Sequence, residues 1–257
     1  MSDRDAETPK DPPGSSANDP FTRRELKALP RGFFERPVLD VTADLLGKLL
    51  VRRDESGRTI VGRIVEVEAY GGKGVDPAAH SYRGPTPRCQ VMFGPAGLAY
   101  VYATQSRCFC LNVTTGGQGG GRAVLIRAVE PLHGFDLMRA RRLARLNEGP
   151  TRRRLERGRP AELAQGPGRL CMCLQLSADF NGADLTDPDG LIWLAEGSSP
   201  KRTRWTARIG INKTNPAAYW AWRTEDIDSA AVSARRQVRG EDRREPEPPF
   251  DFVAPRG

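Results

Sequence analysis

Hydrophobic and polar positions change period several times along the chain, and each change marks an element. Residues 63–70, Arg63-Ile-Val-Glu66-Val-Glu68-Ala-Tyr70, alternate with period two as a half-buried strand does. Counting by two places Glu66, Glu68 and Tyr70 on one face and Val65, Val67 and Ala69 on the other. Upstream, Leu45, Leu46, Leu49 and Leu50 form a helical stripe within residues 42–50 that passes into a strand near Val51. Ser56-Gly57 predicts a hairpin turn before a strand over 60–70. Residues 97–102, with Tyr100 and Tyr102 on one face, and 108–113 predict a second hairpin whose polar tip is Ala103-Thr-Gln105-Ser-Arg107. A glycine-rich turn over 116–121 leads into an apolar strand over 123–130 with Arg127 at its middle. Helices are predicted over 135–146 and 170–176, looser chain around Gly149-Pro150, and late strands over 191–194 and 208–211. Residues 71–87 read as a loop holding His80 and Tyr82. The pattern fades at both ends: residues 1–20 and 234–257 read as disordered tails around one folded domain over 21–233.

Composition narrows the class. A chain of 257 residues can bury a single sizeable core. No apolar run approaches the roughly 20 residues of a membrane helix, and the first 20 residues lack the apolar segment of a secretion signal. Five cysteines, odd in number and without a disulfide-scaffold spacing, suit a reducing cytoplasm. The net charge of +8 is concentrated: residues 139–159 hold nine arginines against Glu148 and Glu156, a local +7. Such a segment fits a polyanion, most simply nucleic acid. It also fits a solvated helix face in a chain that prefers arginine, since only six of its 40 basic residues are lysine.

Several side chains are candidates for chemistry. Glu68 suits a general base that activates water, and equally an edge-strand carboxylate paired to Arg63 or Arg127. Glu66 and Glu68 together suggest a sugar hydrolase only weakly: on one strand their Cα atoms stand about 6.6 Å apart and point the same way, whereas such pairs flank the bond they cleave. Tyr70, Tyr82, Tyr100 and Tyr102 can stack on a base or simply fill a core or its rim. Asn112 is a hydrogen-bonding gate or a satisfied turn residue. A guanidinium inside an apolar strand, as at Arg127, needs a carboxylate or anion beside it. Cys108-x-Cys110 and Cys171-x-Cys173 lack zinc-ligand spacing, the glycine-rich turn contains no phosphate-loop motif, and His80 and His133 are too scattered for a metal cluster.

Their order along the chain is more specific than any one of them. Gly62-Arg-Ile-Val-Glu-Val-Glu68-Ala-Tyr70, Ala78-Ala-His80-Ser, Thr86-Pro-Arg88, Met92-Phe93, Gly97-x-x-Tyr100-Val-Tyr102, Phe109-Cys-Leu-Asn112-Val, Val124-Leu-Ile-Arg127-Ala-Val-Glu130-Pro131 and Gly166-Pro-Gly-x-Leu170 together resemble the 3-methyladenine (alkyladenine) DNA glycosylase family, over about residues 33–233. The resemblance implies a monomeric, single-domain mixed α/β (α+β) protein on a curved, mainly antiparallel sheet with peripheral helices. It implies excision of alkylated purines from duplex DNA in the cytoplasm, with no metal or organic cofactor. Carried over by position, Glu68 would deprotonate the attacking water and Arg127 would help hold it. Tyr70 and Tyr102 would sandwich the flipped base, His80 would hydrogen-bond to it, and Asn112 would exclude guanine's exocyclic amino group. Base flipping would be wedged from the hairpin tip, at Thr104 and Gln105, with Arg107, Arg141, Arg142, Arg152 and Arg153 on phosphates.

The chain departs from the pattern at four places. Relatives carry Tyr-Gly at the hairpin tip where Gln105-Ser106 stands, and asparagine in place of Cys89. The run over 118–122 differs in length and charge, and Arg-Phe-Tyr after Trp222 is replaced by Arg223-Thr-Glu, which leaves the C-terminal pairing open. A glutamine offers little stacking surface, so weak flipping of well-paired lesions is expected. The rival reading is a damage-binding protein with little turnover.

Overall fold

The computed structural model describes residues 21, 26–104 and 108–233. The expected tails, Gln105 and Arg107 lie outside these residues. Two short helices open the described chain: α1 (Arg31–Phe34) and α2 (Val38–Leu45), which buries the stripe Val38, Val41 and Leu45. Helix α2 ends before Leu49 and Leu50, which belong instead to β1 (Leu49–Arg53). The leucine stripe therefore spans a helix–strand boundary, because apolar spacing alone does not separate a buried strand from a buried helix over so short a run. The β1 hairpin turns where the Asp54 carboxylate accepts from the Ser56 and Arg58 amides, with Gly57 at φ +83°.

Strand β2 (Thr59–Tyr70) is the spine of an eight-stranded antiparallel sheet that it forms with β1, β3 (Ala99–Ala103), β4 (Phe109–Thr115), β5 (Arg122–His133), β6 (Ile192–Ala195), β7 (Thr203–Thr206) and β8 (Arg223–Asp226). The main order is β3-β4-β5-β2-β1-β6. One edge of β2 is shared: β1 pairs with its first half, Thr59 to Arg63, and β8 with its second, Glu66 to Glu68. The altered Arg223-Thr224-Glu225 stretch thus forms a strand. Arg208–Ile211, read from sequence as a strand, lies outside the sheet, since its amide at Ile209 donates to a carboxylate rather than to a ladder.

Helices α3 (Phe135–Leu143), α4 (Pro150–Arg157) and α5 (Pro167–Leu174) join α1 and α2 to give five among the described residues. Pro150 opens a helix rather than a loose stretch, as proline can at a first helical position. The helices pack on one face of the curled sheet around Ile60, Ile64, Val67, Ala69, Ile126, Val129 and Leu170. The result is a single-domain α+β fold. No described helix is long and apolar enough to cross a membrane.

The alternation along β2 slips once. Ile60 and Ile64 face the helical core, as do Val67 and Ala69, while Val61 and Val65 pack in clusters apart from it. Pairing with β5 runs Ile64 to Val129, Glu66 to Ala128 and Val67 to Ile126, so Val65 on β2 and Arg127 on β5 are each one residue in surplus. Val65 accordingly does not share the face of Val67 and Ala69. Such bulges re-aim side chains. Here they turn Glu66, Glu68 and Tyr70 to the face opposite the helices.

Candidate active site

A cleft of about 520 Å³ opens on that face, within the 300–1,000 Å³ usual for small-molecule sites. Tyr70 from β2, Tyr100 and Tyr102 from β3, Asn112 from β4 and Leu125 and Arg127 from β5 line it, with His80 and the chain around Ile209 completing the wall. The β3–β4 hairpin sets Tyr100 opposite Asn112 and Tyr102 opposite Cys110. The Tyr100 and Tyr102 rings lie 5.3 Å apart, and His80 meets Tyr102 edge-on at 4.7 Å.

Glu68 lies under this cleft, fully buried yet not in the apolar core. One carboxylate oxygen accepts from the Tyr70 hydroxyl at 3.1 Å and stands 3.2 Å from an Arg127 amino group. The other accepts the Ile209 amide at 2.7 Å. Arg127 also donates through Nε to Glu66 at 2.8 Å. Burial opposes the charge on Arg127, but Glu68 and Glu66 outweigh it and hold the guanidinium firmly protonated. Burial pushes the Tyr70 hydroxyl up, and the Glu68 charge pushes it further, so it remains a donor. Burial likewise raises Tyr102, and raises Tyr100 to about 12. His80 is lowered by burial and then by Arg88, which keeps its ring neutral, and its Nδ1 lies 2.9 Å from the Tyr100 hydroxyl. The Asn112 amide donates to the Tyr100 carbonyl at 2.9 Å.

Sequence reasoning missed the groups that brace this arrangement. Arg208 is fully buried, bonds both oxygens of Asp76 at 2.6 and 2.9 Å, and lies 4.8 Å from the Tyr70 ring centre and 5.3 Å from that of Trp222. The loop carrying Asp76 is held in turn by Gly72, whose φ of +84° lets Lys73 donate to Gly120 where a Cβ would strike that carbonyl. Glu66 accepts from Arg223 as well as Arg127 and from both the amide and hydroxyl of Ser233. A guanidinium in the apolar run Arg208-Ile-Gly-Ile211 was a usable signal of the kind read at Arg127. Asp76, in a polar loop, gave none.

The expected phosphate contacts separate. Arg141 is turned inward to Asp54 and the Cys173 carbonyl, and Arg142 to the carbonyls of Glu162 and Leu163, so neither faces solvent as a phosphate contact must. Both sit on the packed side of α3, where a long basic run hides which members are core-facing. Arg152 is half-buried and occupied by Glu148, Glu156 and the Leu143 and Leu146 carbonyls. Arg153 is exposed and lines, with Arg154, Arg157 and Arg159, a shallow basic cleft of about 380 Å³. Thr104 donates to the Cys108 carbonyl at 3.0 Å at the base of the hairpin tip. Among the described residues no group of three or more His, Cys, Asp or Glu is placed to hold a metal ion, and the five cysteines are free.

The family model described as methylpurine-DNA glycosylase matches residues 32–227. The chain belongs to that family. Among its relatives is a protein of Methanoculleus marisnigri, 47% identical over 190 residues, 72% of this chain and 89% of the relative. Another, from Methanocella arvoryzae, is 40% identical over 82% of this chain and 98% of its own length. A third, from Burkholderia lata, is 42% identical over 79% and 91%. All three carry a provisional name, 3-methyladenine DNA glycosylase. The family match spans Glu68 and the residues that line the cleft above it.

Proposed function

We infer that the protein is a monofunctional DNA glycosylase that takes an alkylated purine, of the 3-methyladenine class, out of the duplex and hydrolyses its N-glycosidic bond. The observation that carries this is Glu68 held between Arg127, Tyr70 and the Ile209 amide directly beneath an aromatic-walled cleft. A carboxylate offers about four acceptor positions and these three donors engage three, which leaves room for one water. Glu68 takes a proton from that water as it attacks the sugar carbon, while Arg127 and Tyr70 orient the carboxylate. The departing base carries positive charge when alkylated, so an activated water suffices and no covalent nucleophile is needed.

A base in a duplex is out of reach of such a group and has to be extruded, at a cost of a few kcal/mol that is lowest for damaged bases. Tyr70 and Tyr102 stack on the extruded purine, an electron-poor ring that aromatic faces favour. Neutral His80 hydrogen-bonds to it and Asn112 stands where guanine's amino group would reach. Gln105 and Thr104 fill the gap in the stack. The exposed arginines Arg153, Arg154, Arg157 and Arg159 replace Arg141 and Arg142 as the groups suited to backbone phosphates.

The rival reading, a binding protein with little turnover, lacks a reason for two buried carboxylates around one guanidinium at the cleft floor. Glu68→Gln tests the two. Single-turnover excision of 3-methyladenine should fall by about 10²–10⁴-fold while binding to abasic-site DNA is retained. Parental excision by Glu68→Gln removes the assignment.

A further inference from the structure

Glu66 plays no part in the chemistry just described, yet its carboxylate accepts four hydrogen bonds. It is fully buried, contributes nothing to the cleft wall, and accepts from Arg127 Nε at 2.8 Å, Arg223 Nε at 2.7 Å, and the Ser233 amide and hydroxyl at 2.6 and 2.8 Å. Arg127 meets Glu68 through Nη1, at 3.2 Å. The guanidinium therefore spans two carboxylates, with its Nε edge committed to Glu66.

That division has a chemical consequence. An arginine facing one carboxylate closes on it with two parallel hydrogen bonds, the strongest form of the pair. A carboxylate so held is a poor base and has few lone pairs to offer water. With Nε tied to Glu66, the guanidinium is held in an orientation that meets Glu68 at one point, through Nη1, rather than closing on it. The opposed surplus residues make this possible, since the bulge that carries Arg127 faces the one that turns Glu66 to the same side of the sheet.

We propose that Glu66 is a positioning residue for the hydrolysis: by occupying Arg127 from behind it keeps Glu68 available to water, and it ties that state to the C-terminal segment through Arg223 and Ser233. This rests on Glu68 being the base. The groups facing Glu68 are Arg127 from β5, Tyr70 from β2, the Ile209 amide, and, through their charges or dipoles, Tyr102 and Cys110 from the β3–β4 hairpin. Glu66→Gln removes a negative neighbour and frees Arg127 to close on Glu68. Both changes favour the ionised form of Glu68 and weaken it as a base.

Single-turnover excision of 3-methyladenine from duplex DNA should then fall about 10- to 100-fold at its plateau in Glu66→Gln. Its acid limb should move to lower pH, with half-saturation by DNA within about threefold of the parent and partial recovery of rate in Glu66→Asp. A merely structural glutamate would lower the folded fraction without moving the acid limb. Should Glu66→Gln not fold, Glu66→Gln/Arg223→Gln, which keeps the buried charges balanced, is measured instead and carries the same expectation. An unmoved acid limb, or a parental plateau, overturns the proposal. Glu68→Gln run beside them separates the failures: if it excises at the parental rate the base assignment itself is lost, whereas an inactive Glu68→Gln with an unaffected Glu66→Gln defeats only the role given to Glu66.

Discussion

Asp76→Asn is the change whose cost can be worked most fully from the structure. The Asp76 carboxylate is wholly buried and receives four donors: the Gly71 and Ala78 amides, each at 3.0 Å, and two Arg208 amino groups at 2.6 and 2.9 Å. Four donors use all the acceptor positions a carboxylate presents. Asparagine keeps one acceptor oxygen and turns an amino group toward donors that have no other acceptor at that point. The Arg208 charge, fully buried against Tyr70 and Trp222, loses its only carboxylate partner among the described residues. Removing one member of such a pair costs about 3–5 kcal/mol. For a domain of this size each kcal/mol lowers the melting temperature by about 2–4 °C, which gives a fall of roughly 6–20 °C. Differential scanning calorimetry on the full chain measures it. Arg202→Ala, which breaks the exposed Arg202–Asp228 pair, is the control and should leave the transition where it is. At a temperature where both variants are folded, Asp76→Asn should also excise about 10- to 100-fold more slowly, since Arg208 precedes the amide that holds Glu68 and supports the Tyr70 ring. A melting temperature within 2 °C of the parent would refute the reasoning.

Three further outcomes are expected. Replacing Arg153, Arg157 and Arg159 together by alanine should reduce the slope of log affinity for undamaged duplex against log salt by about 2–3, with excision at saturating DNA unchanged, in fluorescence anisotropy titrations and single-turnover assays. Stability should decline in acid through Glu66: burial raises its carboxyl, but Arg223, Arg127 and Ser233 outweigh that and hold it below its ordinary value. The unfolded chain then binds this proton more readily than the folded one, so the contribution is complete at neutral pH and is lost as pH falls below about 4.3 and through the lower folded value. Urea midpoints measured from pH 7 to pH 3 follow it, and Glu66→Gln should flatten that dependence. Gln105→Tyr should raise excision of hypoxanthine, a stably paired lesion, more than that of 3-methyladenine, and equal rates for parent and variant on hypoxanthine would remove the wedge argument.

Much of the site was legible because it is written in strand periodicity. Glu68 and Tyr70, Tyr100 and Tyr102, and the lone guanidinium of Arg127 each stand out against an apolar alternation, and the short β3–β4 hairpin sets Tyr100 and Tyr102 against Asn112 and Cys110. What escaped depends on pairing between distant segments. Nothing in residues 63–70 alone reveals that Val65 has no partner on β5, since a bulge is a relation between two strands. Arg208–Ile211 has the composition of a strand but spends its polar groups on Asp76, Ala69 and Glu68. Arg141 and Arg142 look like their neighbours in a basic run, and only the packing of α3 on α5 and on the chain around Leu163 separates them from the exposed arginines of α4.

The paired surplus of Val65 and Arg127 makes the length of two strands a shared inheritance. Losing Val65 alone would leave the extra residue at Arg127 without its counterpart and put the β2–β5 pairing out of register by one residue, even though Glu66 would then follow Ile64 in plain alternation. Losing Arg127 alone would take the guanidinium from Glu68 and one of two from Glu66, and shift the rest of β5 by one place. Descent can therefore alter these two segments only in concert.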